Sequence, residues 1–270
     1  MTLHFYKMHG AGNDYIYLNM LDQKLSIHPQ TLAPMLSSRH FGIGGDGVVL
    51  ICPSQVADAE MRMYNQDGSE GMMCGNALRC VGKYLYEKRG IHKNPMKIAT
   101  KSGQKEVTFE IDKGTVKTIV ADMGKATGYG EVVCFDVEGV TVSGYFISLG
   151  NPHLVVFEKT DNIPLEKIGN AAQSSPRFPD GVNVELVKIE DSHHLSLTVW
   201  ERGTGVTLAC GSGACGAVAV ACALGYVKAQ SWVKVSMPGG VLDVLCEKDF
   251  HLHLRGDAQF VFEGDITIEN

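Results

Sequence analysis

Two cysteines stand immediately before a glycine and a small polar residue: Cys74 in "MMCGNALRC" (72–80) and Cys210 in "LACGSGAC" (208–215). Each falls at the predicted start of a helix, where the first N–H groups lack intrahelical partners and the positive end of the macrodipole lies. Such a position suits a carboxylate ligand and also stabilises a thiolate, lowering a cysteine pKa from about 8.5 toward neutrality. Two thiols placed this way fit inversion of a stereocentre. One removes a proton as thiolate, the other delivers a proton to the opposite face as thiol, and the reverse reaction swaps their roles. A helix end supplies only about 0.3–1 kcal/mol, whereas enzymes lower barriers by roughly 8–23 kcal/mol. The remainder must come from several backbone N–H bonds in a dry site and from accurate placement of both thiols, so two lobes that close over substrate are expected. The other cysteines read as packing residues: Cys80 and Cys215 within the following helices, and Cys52, Cys134, Cys222 and Cys246 elsewhere.

The elements that must position these thiols are mostly short alternating strands. In the first half they are Leu3–Met8, Tyr15–Asn19, Val48–Cys52, Glu60–Tyr64, Met96–Thr100, Glu106–Asp112 and Thr115–Asp122. In the second half they include Val140–Leu149, Leu154–Glu158, Val182–Lys188, Ser196–Glu201, Trp232–Ser236 and Val241–Cys246. Helices are predicted after the two Cys-Gly pairs, over Asn76–Lys88 and Ser212–Leu224, and also at Pro29–Arg39 and Pro164–Asn170.

An internal repeat organises the chain. Cys210 follows Cys74 by 136 residues, and the same offset relates Glu201 to Asn65 and Trp200 to Tyr64. The "DGV" of Asp46–Val48 returns at Asp180–Val182, and the "GN" of Gly12–Asn13 returns at Gly150–Asn151. Landmarks that keep one order and nearly one spacing predict two copies of a β-rich unit, each wrapped around one helix.

Composition narrows the function classes. The chain has 270 residues and a net charge of −6 with scattered Lys and Arg, which points to a small-molecule substrate rather than nucleic acid or an anionic membrane. Eight cysteines without a C-x-x-C spacing, behind a start with no signal-peptide pattern, point to free thiols in a reducing cytoplasm and to no metal site. The apolar run Ala209–Tyr226 is near spanning length, but its Ala, Gly, Ser and Cys content reads as a buried helix.

Six ordered segments resemble the diaminopimelate epimerase family: "KMHGAGNDY" (7–15), "RHFGIGGDG" (39–47), "YNQDGSEGMMCGNALRC" (64–80), "GNPHLVV" (150–156), "GVNVELV" (181–187) and "WERGTGVTLACGSGACG" (200–216). The resemblance implies an α+β fold of two pseudo-symmetric lobes, each a curved, mostly antiparallel, barrel-like sheet around a central helix. The lobe boundary is expected near residue 118, with residues 1–118 and 119–261 carrying one cysteine each and 262–270 crossing back to the first lobe. It further implies interconversion of L,L- and meso-diaminopimelate for lysine and peptidoglycan synthesis, with no pyridoxal phosphate or other cofactor and no metal, in a homodimer.

By the same resemblance, Cys74 and Cys210 are the acid/base pair, and His153 and Glu201 accept their protons respectively. Gly75–Asn76 and Gly211–Ser212 bind the reacting carboxylate. Asn65, Asn151, Asn183 and Arg202, with Glu201, hold the distal carboxylate and ammonium, and Asn13 lies near the reacting centre. A guanidinium fork suits a carboxylate, and a carboxylate suits an ammonium. The chain departs from many members at Ala77, where glycine is common, and at Gly47, where some members carry glutamine. Ser212 replaces the commoner threonine in a role assigned mainly to its backbone.

Rival readings fit less well. Proline racemases and hydroxyproline epimerases resemble "CGHG" at the first cysteine, whereas this chain has Asn76. The "GIGGDG" of Gly42–Gly47 satisfies a dinucleotide fingerprint, but a helical stretch precedes it and a strand follows, the reverse of the required context. A thiol redox protein would instead pair Cys74 and Cys210 as a working disulfide.

Overall fold

In the computed structural model, which describes residues 1–157 and 163–268, the chain divides into two units. One is Met1–Ala121 with Gly256–Asn270 and the other is Asp122–Arg255. The first unit runs β1 (Thr2–Gly10), β2 (Asn13–Asn19), α1 (Pro29–Ser37), β3 (Gly47–Cys52), β4 (Ala59–Asn65), β5 (Glu70–Gly71), α2 (Gly75–Glu87), β6 (Met96–Thr100), β7 (Gly103–Asp112) and β8 (Thr115–Lys125). The second opens with β9 (Thr127–Val137) and then repeats that order as β10 (Val140–Ser148), β11 (Pro152–Phe157), α3 (Leu165–Gln173), β12 (Asn183–Asp191), β13 (His194–Glu201), β14 (Gly205–Thr207), α4 (Gly211–Ala223), β15 (Trp232–Met237), β16 (Gly240–Cys246) and β17 (His251–Gly256). The last strand, β18 (Gln259–Thr267), returns to pair antiparallel with β1, from Thr2 opposite Thr267 to His9 opposite Gln259.

Register repeats as well as order. β2 and β3 are parallel, as are β11 and β12. Val48 pairs with Tyr64 across β3 and β4, and 136 residues later Val184 pairs with Trp200 across β12 and β13. The β4–β6 and β13–β15 pairs are parallel too, and the remaining neighbours within the two units are antiparallel. This is the expected α+β arrangement with mixed, mostly antiparallel sheets.

Strand alternation gives each sheet two apolar faces. In the first unit Ile16, Leu18, Val48 and Leu50 pack with Leu32 and Leu36 of α1, while in the second Leu154, Val156 and Val184 pack with Ile168 and Ala172 of α3. The opposite faces surround α2 and α4. Burial on all sides explains α4, which is Ala, Gly, Val, Ser and Cys throughout. By contrast α2 encloses two cations, each with backbone acceptors. Arg79 is fully buried, and Lys83 donates to the Val116 carbonyl at 3.1 Å.

The predicted elements are present with shifts of a few residues, and Met96–Thr100 coincides with β6. The predicted Glu158 strand end and residues 269–270 of the predicted last strand lie outside the described residues. β9 shows almost no buried alternation, so pairing with β10 rather than its own pattern makes it a strand. No helix among the described residues is long and apolar enough to cross a membrane.

Candidate active site

Cys74 is the N-cap residue of α2, with extended backbone (φ −133°, ψ 123°) before the helical Gly75. Its Sγ donates to Asn13 Oδ1 at 3.3 Å, and Asn76 Nδ2 donates to the same oxygen at 3.3 Å. Asn13 opens β2 after a turn in which Ala11 and Gly12 both have positive φ. Its amide is held from behind by Asp46, which accepts from Asn13 Nδ2 at 2.8 Å. Arg39 bridges Asp46 and Asp14 at 2.9 Å each, and Lys7 reaches Asp14 at 2.5 Å. Burial pushes the Asp46 carboxyl up, as does the adjacent Asp14 charge, and these outweigh Asn13 and Arg39. Burial also pushes Asp14 up, but Arg39 and Lys7 prevail and hold it low.

Arg79 underlies the same helix turn. Its Nη2 donates to Asn76 Oδ1 at 2.9 Å and its Nε to the Asp257 carbonyl at 3.1 Å. Burial pushes the guanidinium pKa down, and the electrostatic influence of Cys80 and Cys74 opposes that push. Arg79 thus places a positive charge behind the first turn. Asn65 stands apart from the Asn13–Cys74–Asn76 group, its Nδ2 bonded to Ser69 Oγ at 3.0 Å.

Cys210 caps α4 in the same way, and here Sγ accepts from Gly213 N at 3.4 Å. Ser212 Oγ lies 3.4 Å from Cys210 Sγ and accepts from Asn151 Nδ2 at 3.4 Å. The Ser212 hydroxyl is therefore used, beyond the backbone role expected for it. Asn183 Oδ1 accepts from Arg202 N at 2.9 Å, and Arg202 Nη1 donates to the Asp180 carbonyl at 2.8 Å. Thr207 Oγ1 donates to Glu201 Oε1 at 2.5 Å.

The two helix ends give their thiols different surroundings, which corrects the expectation that both are depressed. Burial first, then the charges of Glu201 and Glu185, push the Cys210 pKa well above the ordinary thiol value despite the Ser212 and Gly213 hydrogen bonds. Two nearby carboxylates and desolvation outweigh one helix end, whose worth is about 0.3–1 kcal/mol.

Glutamine has no room where Gly47 stands, because a Cβ there would lie 2.2 Å from the Tyr64 carbonyl oxygen and 2.8 Å from the Tyr15 ring. Two features escaped sequence reasoning. One is Glu185, fully buried, whose Oε1 lies 2.6 Å from His153 Nδ1. Its signal was an acid in "NVELV" at a position that strand parity assigns to the helix-facing side. The other is a cluster of Asp122, His251 and His253, whose ligand-type atoms lie within 4.8 Å of one another. The H-x-H spacing puts both rings on one strand face, but each ring Nε2 already bonds a carboxylate, Asp122 at 2.6 Å and Glu247 at 2.7 Å. Those pairings account for the cluster.

The fold and the two cysteine-capped helices define a class first. The structure of a hydroxyproline epimerase from Agrobacterium vitis superposes with a TM-score of 0.76 at 14% identity, covering all of this chain and 93% of that one. A phenazine biosynthesis protein of the PhzF family from Bacillus anthracis gives 0.74 at 15% identity, covering 99% and 100%. At such identities these likenesses show the shared fold alone. A family model described as diaminopimelate epimerase matches residues 5–128 and 145–261. Diaminopimelate epimerases from Methanococcus maripaludis strain C5 and Bacillus licheniformis are 42% and 38% identical, over 98% and 99% of this chain and 99% of each relative. The chain belongs to the diaminopimelate epimerase family.

Proposed function

We propose that this enzyme interconverts L,L- and meso-diaminopimelate by proton removal and return at one α-carbon, serving lysine and peptidoglycan precursor synthesis. Cys74 and Cys210 are the two bases, one working as thiolate while the other donates. His153 and Glu201 take protons from Cys74 and Cys210 respectively. The N–H groups of Gly75, Asn76, Gly211 and Ser212 bind the carboxylate on the reacting carbon, where charge develops as the proton leaves. Asn65, Asn151, Asn183, Glu201 and Arg202 hold the far carboxylate and ammonium, and Asn13 orients the reacting centre. No cofactor or metal takes part, because the thiols and the bound carboxylate supply the whole proton chemistry.

The observation that carries this reading is the equivalence of Cys74 and Cys210. They cap corresponding helices of two structural repeats in a chain belonging to this family. Their surroundings differ: Cys210 lies beside Glu201 and Glu185, which with burial favour its thiol form, whereas Arg79 lies behind the helix turn that Cys74 caps. The lobes are taken as residues 1–118 with 262–270, and 119–261, boundaries a few residues away from those of the two compact units, Ala121/Asp122 and Arg255/Gly256. The working form is taken as a cytoplasmic homodimer, which sedimentation of the purified protein would check.

Proton NMR of L,L-diaminopimelate in D₂O with reduced protein tests the activity. The expected result is loss of one α-hydrogen signal as the meso isomer grows, abolished in Cys74→Ala and Cys210→Ala. Exchange into L-proline instead of diaminopimelate would replace the substrate assignment. Exchange that survives either substitution would remove that cysteine from its role.

A further inference from the structure

Glu185 and His153 form a buried pair in the second unit. Both side chains are 0% exposed, and Glu185 Oε1 lies 2.6 Å from His153 Nδ1. That separation is at the short end for an imidazole and a carboxylate and indicates a charge-assisted bond. Among the described residues, His153 Nε2 and Glu185 Oε2 have no hydrogen-bond partner. A buried carboxylate with an unsatisfied oxygen costs stability rather than adding it.

The internal repeat shows that the fold does not need this pair. The landmarks that place Asn151 on Asn13 and Trp200 on Tyr64 place His153 on Tyr15 and Glu185 on Val49 in the first unit. Val49 is fully buried there, so an apolar residue satisfies the same strand position. The central helices differ to match. Gly213 of α4 corresponds to Ala77 of α2, and a Cβ at 213 would lie 2.7 Å from Glu185 Oε1. Gly216, one turn on, packs with its Cβ position 3.7 Å from the His153 Cβ. Thus the second unit gives up a side chain on its helix to admit a buried acid that the first unit lacks.

We propose that Glu185 is a positioning residue for proton transfer through His153. This rests on the reading above, in which His153 takes the proton of Cys74. Glu185 accepts the Nδ1 proton of His153, which fixes the ring orientation and leaves Nε2 as the lone-pair nitrogen. When a thiol gives up its proton, the S–H bond breaks and an Nε2–H bond forms. The imidazolium so produced is balanced by the Glu185 carboxylate. Return of the proton restores both groups, so no other reactant is consumed.

Nitrogen NMR of ¹⁵N-histidine-labelled wild-type protein reads the tautomer directly. The expected signature for His153 is a protonated Nδ1 and an unprotonated Nε2, and the opposite tautomer would overturn the proposal. Glu185→Gln keeps the shape and removes the charge. Its kcat is expected to fall about 10- to 100-fold, within the range ascribed to acid–base groups, with KM changed less than about twofold. In a His153→Asn background the same substitution should cost nothing further. An equal loss in both backgrounds would make Glu185 a structural residue and defeat the proposal. Wild-type kcat in Glu185→Gln with a strongly impaired His153→Asn would defeat the proposal and leave the His153 assignment standing. Wild-type kcat in His153→Asn would defeat that assignment, and the proposal with it.

Discussion

At the scale of single residues, the two thiols are chemically unlike although their sequence settings match. Cys210 is 7% exposed and faces the fields of Glu201 and Glu185. Its raised pKa means that the thiolate is scarce at pH 7 to 8.5 and appears only as pH climbs above the ordinary thiol range. In a Cys74→Ser variant, iodoacetamide labelling of Cys210 followed by mass spectrometry should therefore be slow at pH 7.5. Its rate should rise only above the pH range in which ordinary thiols ionise. A half-rise near pH 7 would contradict the burial and carboxylate argument. The cysteines, Asn76, Ser212 and Arg202 were legible because each stands in a motif. Asp46 behind Asn13, Arg79 behind Asn76 and Glu185 behind His153 were not assigned supporting roles, because each acts through a side chain brought to it by folding.

Elements show where local preference yields to packing. Gly169 lies inside α3, where alanine would ordinarily improve a helix by about 1 kcal/mol. A Cβ at 169, however, would meet the Trp200 ring at 2.4 Å. Overpacking of this kind costs about 1–3 kcal/mol, so Gly169→Ala should destabilise by roughly 1–2 kcal/mol in urea titration. A variant more stable than wild type would mean that Trp200 moves aside freely. Period-two alternation predicted β2, β3, β11 and β12 because each alternates between an outer helix and a central one. It left β9 unnamed, since a strand exposed at most positions carries no such imprint.

For the whole molecule, chain order and unit membership differ at the C-terminus. β18 pairs with β1 along eight residue pairs, and Ile268 just after it joins the first unit's core with Leu3, Phe5 and Ile16. A chain ending at Gly256 should fail to fold its first unit, read as loss of protection of the β1 and β2 amides in hydrogen exchange. Full protection of β1 in that truncated chain would show that β2 pairing alone holds the strand.

The sequence by itself determined most of the longer strands, the two cysteine-capped helices, the 136-residue repeat and, through its ordered motifs, the family. These depend on periods of two and about 3.6 residues and on spacings along the chain, which are written locally. Tertiary structure decided the charge around each thiol: Arg79 behind the first turn of α2, and Glu201 with Glu185 near Cys210. Coulomb energy and desolvation depend on distance and burial in space. Glu185 reaches Cys210 from a different strand, 25 residues earlier in the chain, and no local pattern encodes that approach.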